Sequence, residues 1–239
     1  MIGGFIVDGS SPKQVLLRAI GPSLAAFGVP SAMPDPTLRL FDSSASLIAS
    51  NDSWRSDQAQ LIQSTGLAPS SDLEPAILIT LPPGSYTAAV FDQHNNSGVA
   101  LFELYDLEPS NSTLLNLSTR GKVETQDRIM IGGFIIAGSD QSAPILLRAI
   151  GPSLIQFGVL DALLDPILEL HNADGALIFQ NDNWRSDQQQ LIIDSNLAPS
   201  DDRESAVIAT LTPGPYSAVV RGSSNSTGTA LVEIYRLSP

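Results

Sequence analysis

Short apolar runs separated by Gly, Pro, Asn and Asp recur along the whole chain. In the first half these runs are MIGGFIV, QVLLRAI, TLRLF, SLIAS, AILITL, SYTAAVF and VALFELYDL. TLRLF and VALFELY alternate apolar and polar positions, as strands with one buried face do, whereas MIGGFIV and AILITL are continuous apolar runs that fit buried strands. Short strands with turn residues between them predict a β-sandwich. A short helix is predicted at SDQAQLIQS, with Ser56 as its cap and the Leu-Ile pair facing inward.

The same pattern occurs twice in the chain. MIGGFIV at 1–7 recurs as MIGGFII at 130–136, and LLRAIGPSL at 16–24 recurs at 146–154. The motifs WRSDQ and LAPS recur in the same order, and SDQQQLIID repeats the helical segment with Ser186 as its cap. The repeat predicts an all-β fold of two tandem β-sandwich domains, immunoglobulin-like or jelly-roll-like, each with one short helix. Their bounds are 1–109 and 130–239, with residues 110–129 as a linker strand.

The turns LPPGSY at 81–86 and LTPGPY at 211–216 place a Tyr two residues after a Pro-Gly turn, where its hydroxyl can bond back to the turn backbone. This arrangement resembles the tyrosine corner of immunoglobulin and fibronectin type III sandwiches. DPTLRLFDSSASLIASNDSW followed by LPPGSYTAAV resembles the pre-peptidase C-terminal type of bacterial sandwich. RAIGPSL, NDNWR, LAPSDDRESA and PGPY are similar to an uncharacterised repeat at the C-terminal ends of large secreted bacterial proteins. That resemblance implies an extracellular, non-catalytic module.

Composition narrows the classes of partner. The chain has 239 residues and a formal charge of −13, which disfavours nucleic acid and anionic membrane surfaces. It contains no Cys, so disulfides and thiolate chemistry are excluded, and no apolar run is long enough to span a bilayer. The abundant Gly, Pro, Ser, Thr and Asn are typical of turn-rich extracellular β proteins. The start of the chain lacks the basic and apolar regions of a signal peptide, and we expect the sequence to derive from a longer secreted precursor.

No catalytic constellation is evident. The two His residues, His94 and His171, have Ser224 and Phe41 at the matching positions of the other repeat. Motifs for nucleophilic or metal-dependent hydrolysis and for phosphate binding are absent from the sequence. Ser23 and Ser153, in the GPSL motifs, are interpreted as turn residues. The sequence therefore predicts a protein that is not an enzyme.

Acidic loops around the WRSDQ motif make calcium a candidate ligand, because Ca²⁺ accepts carboxylate oxygens in flexible geometry. The alternative is that Arg55 and Arg185, which lie inside the same loops, pair with these carboxylates. The candidate calcium ligands are Asp52, Asp57, Asp72, Glu74, Asp182, Asp187, Asp202 and Glu204.

Trp54 and Trp184 are the only Trp residues and lie beside these loops. An exposed Trp next to Asp and Asn is typical of a sugar-stacking surface, whereas the alternative is a Trp that covers the end of the sandwich. Five glycosylation sequons occur, the one at Asn51 and the four that we favour as candidate sites, of which the first two match each other in the repeat: Asn95, Asn225, Asn111 and Asn116.

The linker suggests how copies assemble. If residues 110–129 and the next apolar run complete the first domain, the second domain has no equivalent segment and keeps an open edge. The first apolar run is then a strand that another molecule can accept, giving a head-to-tail homopolymer. The alternative is that this run folds back into its own domain. The donated residues are Met1, Ile2, Phe5, Ile6 and Val7, and the linker residues are Leu115, Leu117, Ile129, Ile131, Phe134 and Ile136.

The function predicted from the sequence is therefore a non-enzymatic structural protein at the bacterial cell surface or outside the cell, assembled into a filament by strand addition. The rival hypothesis is a carbohydrate-binding accessory module of a larger secreted protein, with or without calcium.

Overall fold

The structure is a computed structural model, and it describes residues 1–108, 112–126, 128–136 and 142–237. The chain forms two compact units, an N-terminal unit of Met1–Leu115 and a C-terminal unit of Asn116–Pro239. Each unit consists of antiparallel β-strands with one short α-helix and short 3₁₀ turns. The all-β prediction is confirmed, and each of the seven apolar runs of the first repeat contributes to a strand.

Among the described residues, the N-terminal unit contains seven complete strands. They pair in the orders β1-β6-β3-β4 and β5-β2-β7. The helix α1 is Ala59–Ser64. The strands are β1 (Ile2–Gly9), β2 (Lys13–Ile20), β3 (Pro36–Phe41), β4 (Leu47–Asn51), β5 (Ala76–Leu81), β6 (Gly84–Asp92) and β7 (Leu101–Asp106).

The C-terminal unit contains the same two sheets with one strand more. Its sheets have the orders β9-β14-β11-β12 and β13-β10-β15-β8. The additional strand is β8, which begins inside the linker. The helix α2 is Gln189–Asp194. The strands are β8 (Ser112–Val123), β9 (Met130–Ile136), β10 (Ala143–Ile150), β11 (Pro166–His171), β12 (Leu177–Asn181), β13 (Ser205–Leu211), β14 (Gly214–Gly222) and β15 (Gly228–Arg236).

The strand order of the C-terminal unit is that of an eight-stranded jelly roll. The N-terminal unit has the same order without the first strand. An immunoglobulin sandwich places its first two strands in one sheet, whereas β1 and β2 lie in different sheets here. The immunoglobulin-like alternative is therefore not confirmed, and the jelly-roll alternative fits the connections.

A hydrophobic core fills the space between the two sheets of each unit. In the N-terminal unit, Phe5 and Val7 of β1 pack with Leu17 of β2 and Leu38 of β3, all of them buried. A smaller cluster lies on the outer face of β2, where Leu16 contacts Trp54 and Ile62. Both clusters have counterparts in the C-terminal unit.

The helices occur where the sequence predicts them, with two differences. Residues Gln58 and Gln188 precede the helices in a left-handed conformation and no side chain caps either helix, so the prediction of Ser56 and Ser186 as caps is wrong. The Ser56 hydroxyl donates to the Ser53 carbonyl instead. Of the Leu-Ile pair in the first helix, Ile62 is buried and Leu61 is 58% exposed.

The tyrosine corners are present in both units. The Tyr86 hydroxyl donates to the Pro82 carbonyl at 2.8 Å, and the Tyr216 hydroxyl donates to the Thr212 carbonyl at 3.0 Å. Phe5 stacks on Tyr86 with ring centroids 5.4 Å apart, and Phe134 stacks on Tyr216 in the same way. Each corner therefore joins the start of one strand, β6 or β14, to the turn before it and to the neighbouring strand, β1 or β9.

Candidate functional site

The first apolar run is part of the N-terminal unit. It forms β1, which pairs with β6 in a register from Ile2↔Ala89 to Val7↔Gly84. Phe5 and Val7 are each 1% exposed. The alternative that Met1–Val7 folds back into its own domain therefore fits, because the backbone of this run pairs and its side chains pack inside its own unit.

Most of the described linker pairs within the C-terminal unit, which differs from the supposition that the linker completes the first domain. Residues 116–123 of β8 pair with β15 from Tyr235↔Asn116 to Gly228↔Val123, and Val123 is fully buried. Leu117 packs against the same core, and Leu115 lies in the part of β8 that belongs to the N-terminal unit. Ile129 directly precedes β9, and Ile131, Phe134 and Ile136 lie on β9, which pairs with β14.

The sequence predicts an open sheet edge in the C-terminal unit. In the structure the open edge lies in the N-terminal unit, on β7. β15 pairs with β10 on one side and β8 on the other. β7 pairs with β2 and ends its sheet in the part of the chain that the structure describes. Pairing with β8 also lengthens the strand, because β15 has nine residues and β7 has six. We call this edge of β7, with the preceding residues 98–100, the β7 edge.

Burial along the two strands reflects this difference. Val232 and Ile234 of β15 are buried, whereas Phe102 and Leu104 at the matching positions of β7 are half-buried. Leu101 is 43% exposed. The β7 edge thus leaves part of the N-terminal core accessible to water, and Leu114 at the start of β8 packs against the same core.

A charged network that the sequence analysis missed lies on the outer face of β2 and β7. The Arg18 guanidinium donates to Glu103 at 2.5 Å and to the Tyr105 hydroxyl at 2.9 Å, and Tyr105 donates to Glu103 at 2.7 Å. Burial, together with the hydrogen bond to Glu103, raises the pKa of Tyr105 to about 12. Arg148, Glu233 and Tyr235 repeat the arrangement. The sequence pattern that could have revealed this network is the RAI motif, present in both repeats, together with ELY in the first repeat and EIY in the second.

Both Trp residues are buried. Trp54 and Trp184 are each 2% exposed, and the guanidinium of the following Arg lies 4.1 Å from each ring centre. A ring in this position cannot stack on a sugar, so the sugar-stacking role is contradicted and the covering role fits. Neither indole N–H has a hydrogen-bond partner among the described residues.

Protein groups hold four of the eight candidate calcium ligands. Arg55 pairs with Asp72, and Arg185 pairs with Asp202 at 2.5 Å, as the alternative to calcium predicts. Glu74 and Glu204 are fully buried, and Asp52, Asp57, Asp182 and Asp187 lie at the exposed surface. Within the described ranges no group of three or more His, Asp or Glu side chains is arranged to hold a metal ion.

Glu74 explains why GPSL and LAPS recur together. Its carboxylate accepts the N–H groups of Gly21 at 3.1 Å, Ser23 at 2.8 Å and Ser71 at 3.2 Å, and also the Ser23 hydroxyl. A Cβ on Gly21 would lie 2.3 Å from the Met33 carbonyl, so glycine is required there. Glu204 makes the matching contacts in the second repeat. Ser23 is thereby a structural residue.

The sequons differ in accessibility. Asn95 and Asn225 are exposed in the loops before β7 and β15, both with positive φ. Asn116 is buried and its amide donates to the Ile234 carbonyl at 3.3 Å, so glycosylation there conflicts with its packing. Asn111 lies outside the described residues.

Comparisons with known proteins add little to this geometry. No known protein family and no curated protein matches the chain. Among solved structures, the STIV MCP is 9% identical over 97% of this chain and 90% of its own, with a TM-score of 0.28. A Eubacterium rectale protein inferred to be secreted is 9% identical over 97% of this chain and 68% of its own, with a TM-score of 0.24. Likenesses this weak indicate neither family nor function.

The described residues include no helix of the length and apolarity needed to cross a bilayer.

Proposed function

We propose that this chain is a non-enzymatic structural module of an extracellular protein and that it assembles head to tail by β-strand addition at the β7 edge. The observation that carries the proposal is the difference between two homologous units. Among the described residues, β8 pairs with β15 on the side away from β10, whereas no strand pairs with the matching side of β7.

The connection within the chain supplies the rule for assembly. β8 follows the N-terminal unit in sequence and completes the sheet of the C-terminal unit. If the same rule operates between molecules, the segment that follows one unit completes the N-terminal unit of the next molecule. Donor and acceptor are then different surfaces, and such a contact propagates as a filament unless it closes into a ring.

Physical chemistry favours filling the β7 edge. An edge strand presents unpaired N–H and C=O groups, and an added strand pairs them while its alternate side chains enter the core. Burial of donor side chains at the Leu117 and Val123 positions would contribute on the order of 3 to 6 kcal/mol before the costs of association and ordering are subtracted. The backbone hydrogen bonds of the added strand would contribute in addition.

An extended chain tests the proposal. We would append a second copy of residues 110–123 to the C-terminus and examine the product by negative-stain electron microscopy and light scattering. The expected result is filaments whose repeat matches two small domains, with smaller species for the unextended chain. The matched control carries Val123→Asp in the appended copy only and should not polymerise, because this side chain enters the core. An extended chain that stays monomeric contradicts the proposal.

The rival carbohydrate-binding function has lost its main support, because both Trp rings are buried. Calcium binding stays a prediction, which calorimetric titration of the metal-free protein with calcium would test.

A further inference from the structure

The β8–β15 pair is a template for the strand that the β7 edge accepts. In the C-terminal unit the register runs from Gly228↔Val123 to Tyr235↔Asn116. The residues of β7 that match those of β15 are found by subtracting 130 from the residue number. A donor of the β8 type would therefore run antiparallel along Gly98–Tyr105, with the Val123 position opposite Gly98 and the Asn116 position opposite Tyr105.

One end of this template is polar in the C-terminal unit. The Lys122 ammonium donates to Asp161 at 2.8 Å, and the Thr229 hydroxyl donates to the same carboxylate at 3.1 Å. Lys122 is directly opposite Thr229 in the register. The hydrogen bond from Lys122 also holds the pKa of Asp161 below its ordinary value.

At this end the N-terminal unit makes the same backbone hydrogen bond but has different side chains, and Ser31 has a left-handed backbone with φ 56° that Asp161 does not share. The Val99 N–H donates to the Ser31 carbonyl at 2.8 Å, as the Thr229 N–H donates to the Asp161 carbonyl at 2.7 Å. Ser31 thus occupies the position of Asp161, and Val99 occupies the position of Thr229. Val99 is 40% exposed. A lysine placed opposite Val99 would find no carboxylate at the Asp161 position, whereas an apolar side chain would cover the valine.

We infer that the β7 edge selects a strand from another copy of this repeat that has the β8 pattern but an apolar side chain in place of Lys122. The inference rests on the proposed strand addition and names its donor. Since β8 carries the lysine that Asp161 binds, the two acceptor edges prefer different donors. Discrimination at this position would determine which segment completes which unit.

Fluorescently labelled peptides test the selectivity. We would measure the binding of a peptide of residues 112–123, and of the same peptide with Lys122→Val, to the full chain by fluorescence anisotropy. The C-terminal edge is already filled by β8 from within the chain, where the effective concentration is high. We expect the Lys122→Val peptide to bind about fivefold more tightly, as burial of one or two extra methyl groups allows. A peptide with Val123→Asp is the negative control.

A double substitution in the chain tests whether the peptide preference arises at Ser31 and Val99. Ser31→Asp with Val99→Thr installs the polar pair of the C-terminal unit in the N-terminal unit, and the preference should then reverse toward the lysine peptide. Equal binding of both peptides, unchanged by the double substitution, would overturn the selectivity while leaving strand addition intact. If neither peptide binds but the extended chain polymerises, the inferred donor is wrong. If neither peptide binds and the extended chain stays monomeric, strand addition itself fails.

Discussion

At the scale of single residues, the repeated motifs serve packing and hydrogen bonding. Glu74 and Glu204 each join a GPSL turn to an LAPS loop. Tyr105 and Tyr235 each hydrogen-bond to a half-buried Arg-Glu pair on the outer face of a sheet. These contacts link segments about 50 to 90 residues apart, as the pairs Ser23–Glu74 and Arg18–Tyr105 show. The polar and charged residues that could be mistaken for functional groups in the sequence therefore stabilise the fold.

The tyrosines predict a loss of stability at high pH. Burial and hydrogen bonds to Glu103 and Glu233 raise the pKa of Tyr105 and Tyr235 to about 12 in the folded chain, above the ordinary value near 10. A raised folded pKa contributes stability that is present below pH 10 and is lost as the pH rises toward 12. We would measure the urea concentration at the unfolding midpoint from pH 8 to 12, and this concentration should decrease between pH 10 and 12. Tyr105→Phe and Tyr235→Phe should flatten the fall, and an unchanged profile would contradict this account.

At the scale of elements, the equivalent strands β7 and β15 of the two units are the informative comparison. Their sequences, VALFELYDL and TALVEIYRL, are alike in pattern. Only β15 has neighbours on both sides in the described part of the chain. The difference therefore arises from what lies beside each strand and not from its own residues.

Amide hydrogen exchange should detect this difference. In monomeric protein, about half of the β7 amides should exchange much faster than their β15 counterparts, because the amides that point away from β2 are not protected by a neighbouring strand. The inner strands β2 and β10 provide the matched control and should be similarly protected. Equal protection of β7 and β15 would mean that the β7 edge is covered in solution, contrary to the structure.

At the scale of the whole molecule, the N-terminal strand has a structural role that the sequence left open. β1 supplies Phe5 and Val7 to the core of its own unit, and Phe5 stacks on the corner residue Tyr86. Loss of this strand would remove one strand of a four-stranded sheet and expose the core.

Deletion of residues 1–7 should therefore unfold the N-terminal unit and leave the C-terminal unit folded. The milder change Phe5→Ala should lower the free energy of unfolding of the N-terminal unit by about 3 to 5 kcal/mol. Ile131→Ala, at a position 56% exposed on β9, is the control and should have little effect. Calorimetry and limited proteolysis separate the two units. A truncated chain with both units folded would show that β1 is dispensable and would reopen its role as a donor.

The sequence alone predicted the features that depend on local pattern and on repetition. Turn residues between apolar runs specified the strands, the Pro-Gly-x-Tyr spacing specified the tyrosine corners, and the positions inside the repeats predicted the Arg55 and Arg185 pairs as one alternative. The exposure of Asn95 and Asn225 follows from the turn residues around them. Each of these depends on residues near one another in the chain or on the comparison of two copies.

The tertiary structure decided which strand lies beside which. The apolar and polar pattern of β8 does not by itself specify the strand beside it, because strand pairing uses backbone groups that every residue has. Pairing with β15 follows from contacts between segments more than 100 residues apart, such as Asn116 with Ile234. Burial of both Trp rings and selection at Val99 likewise depend on distant residues. Local sequence thus determined the elements, and long-range packing determined that the open edge lies on β7.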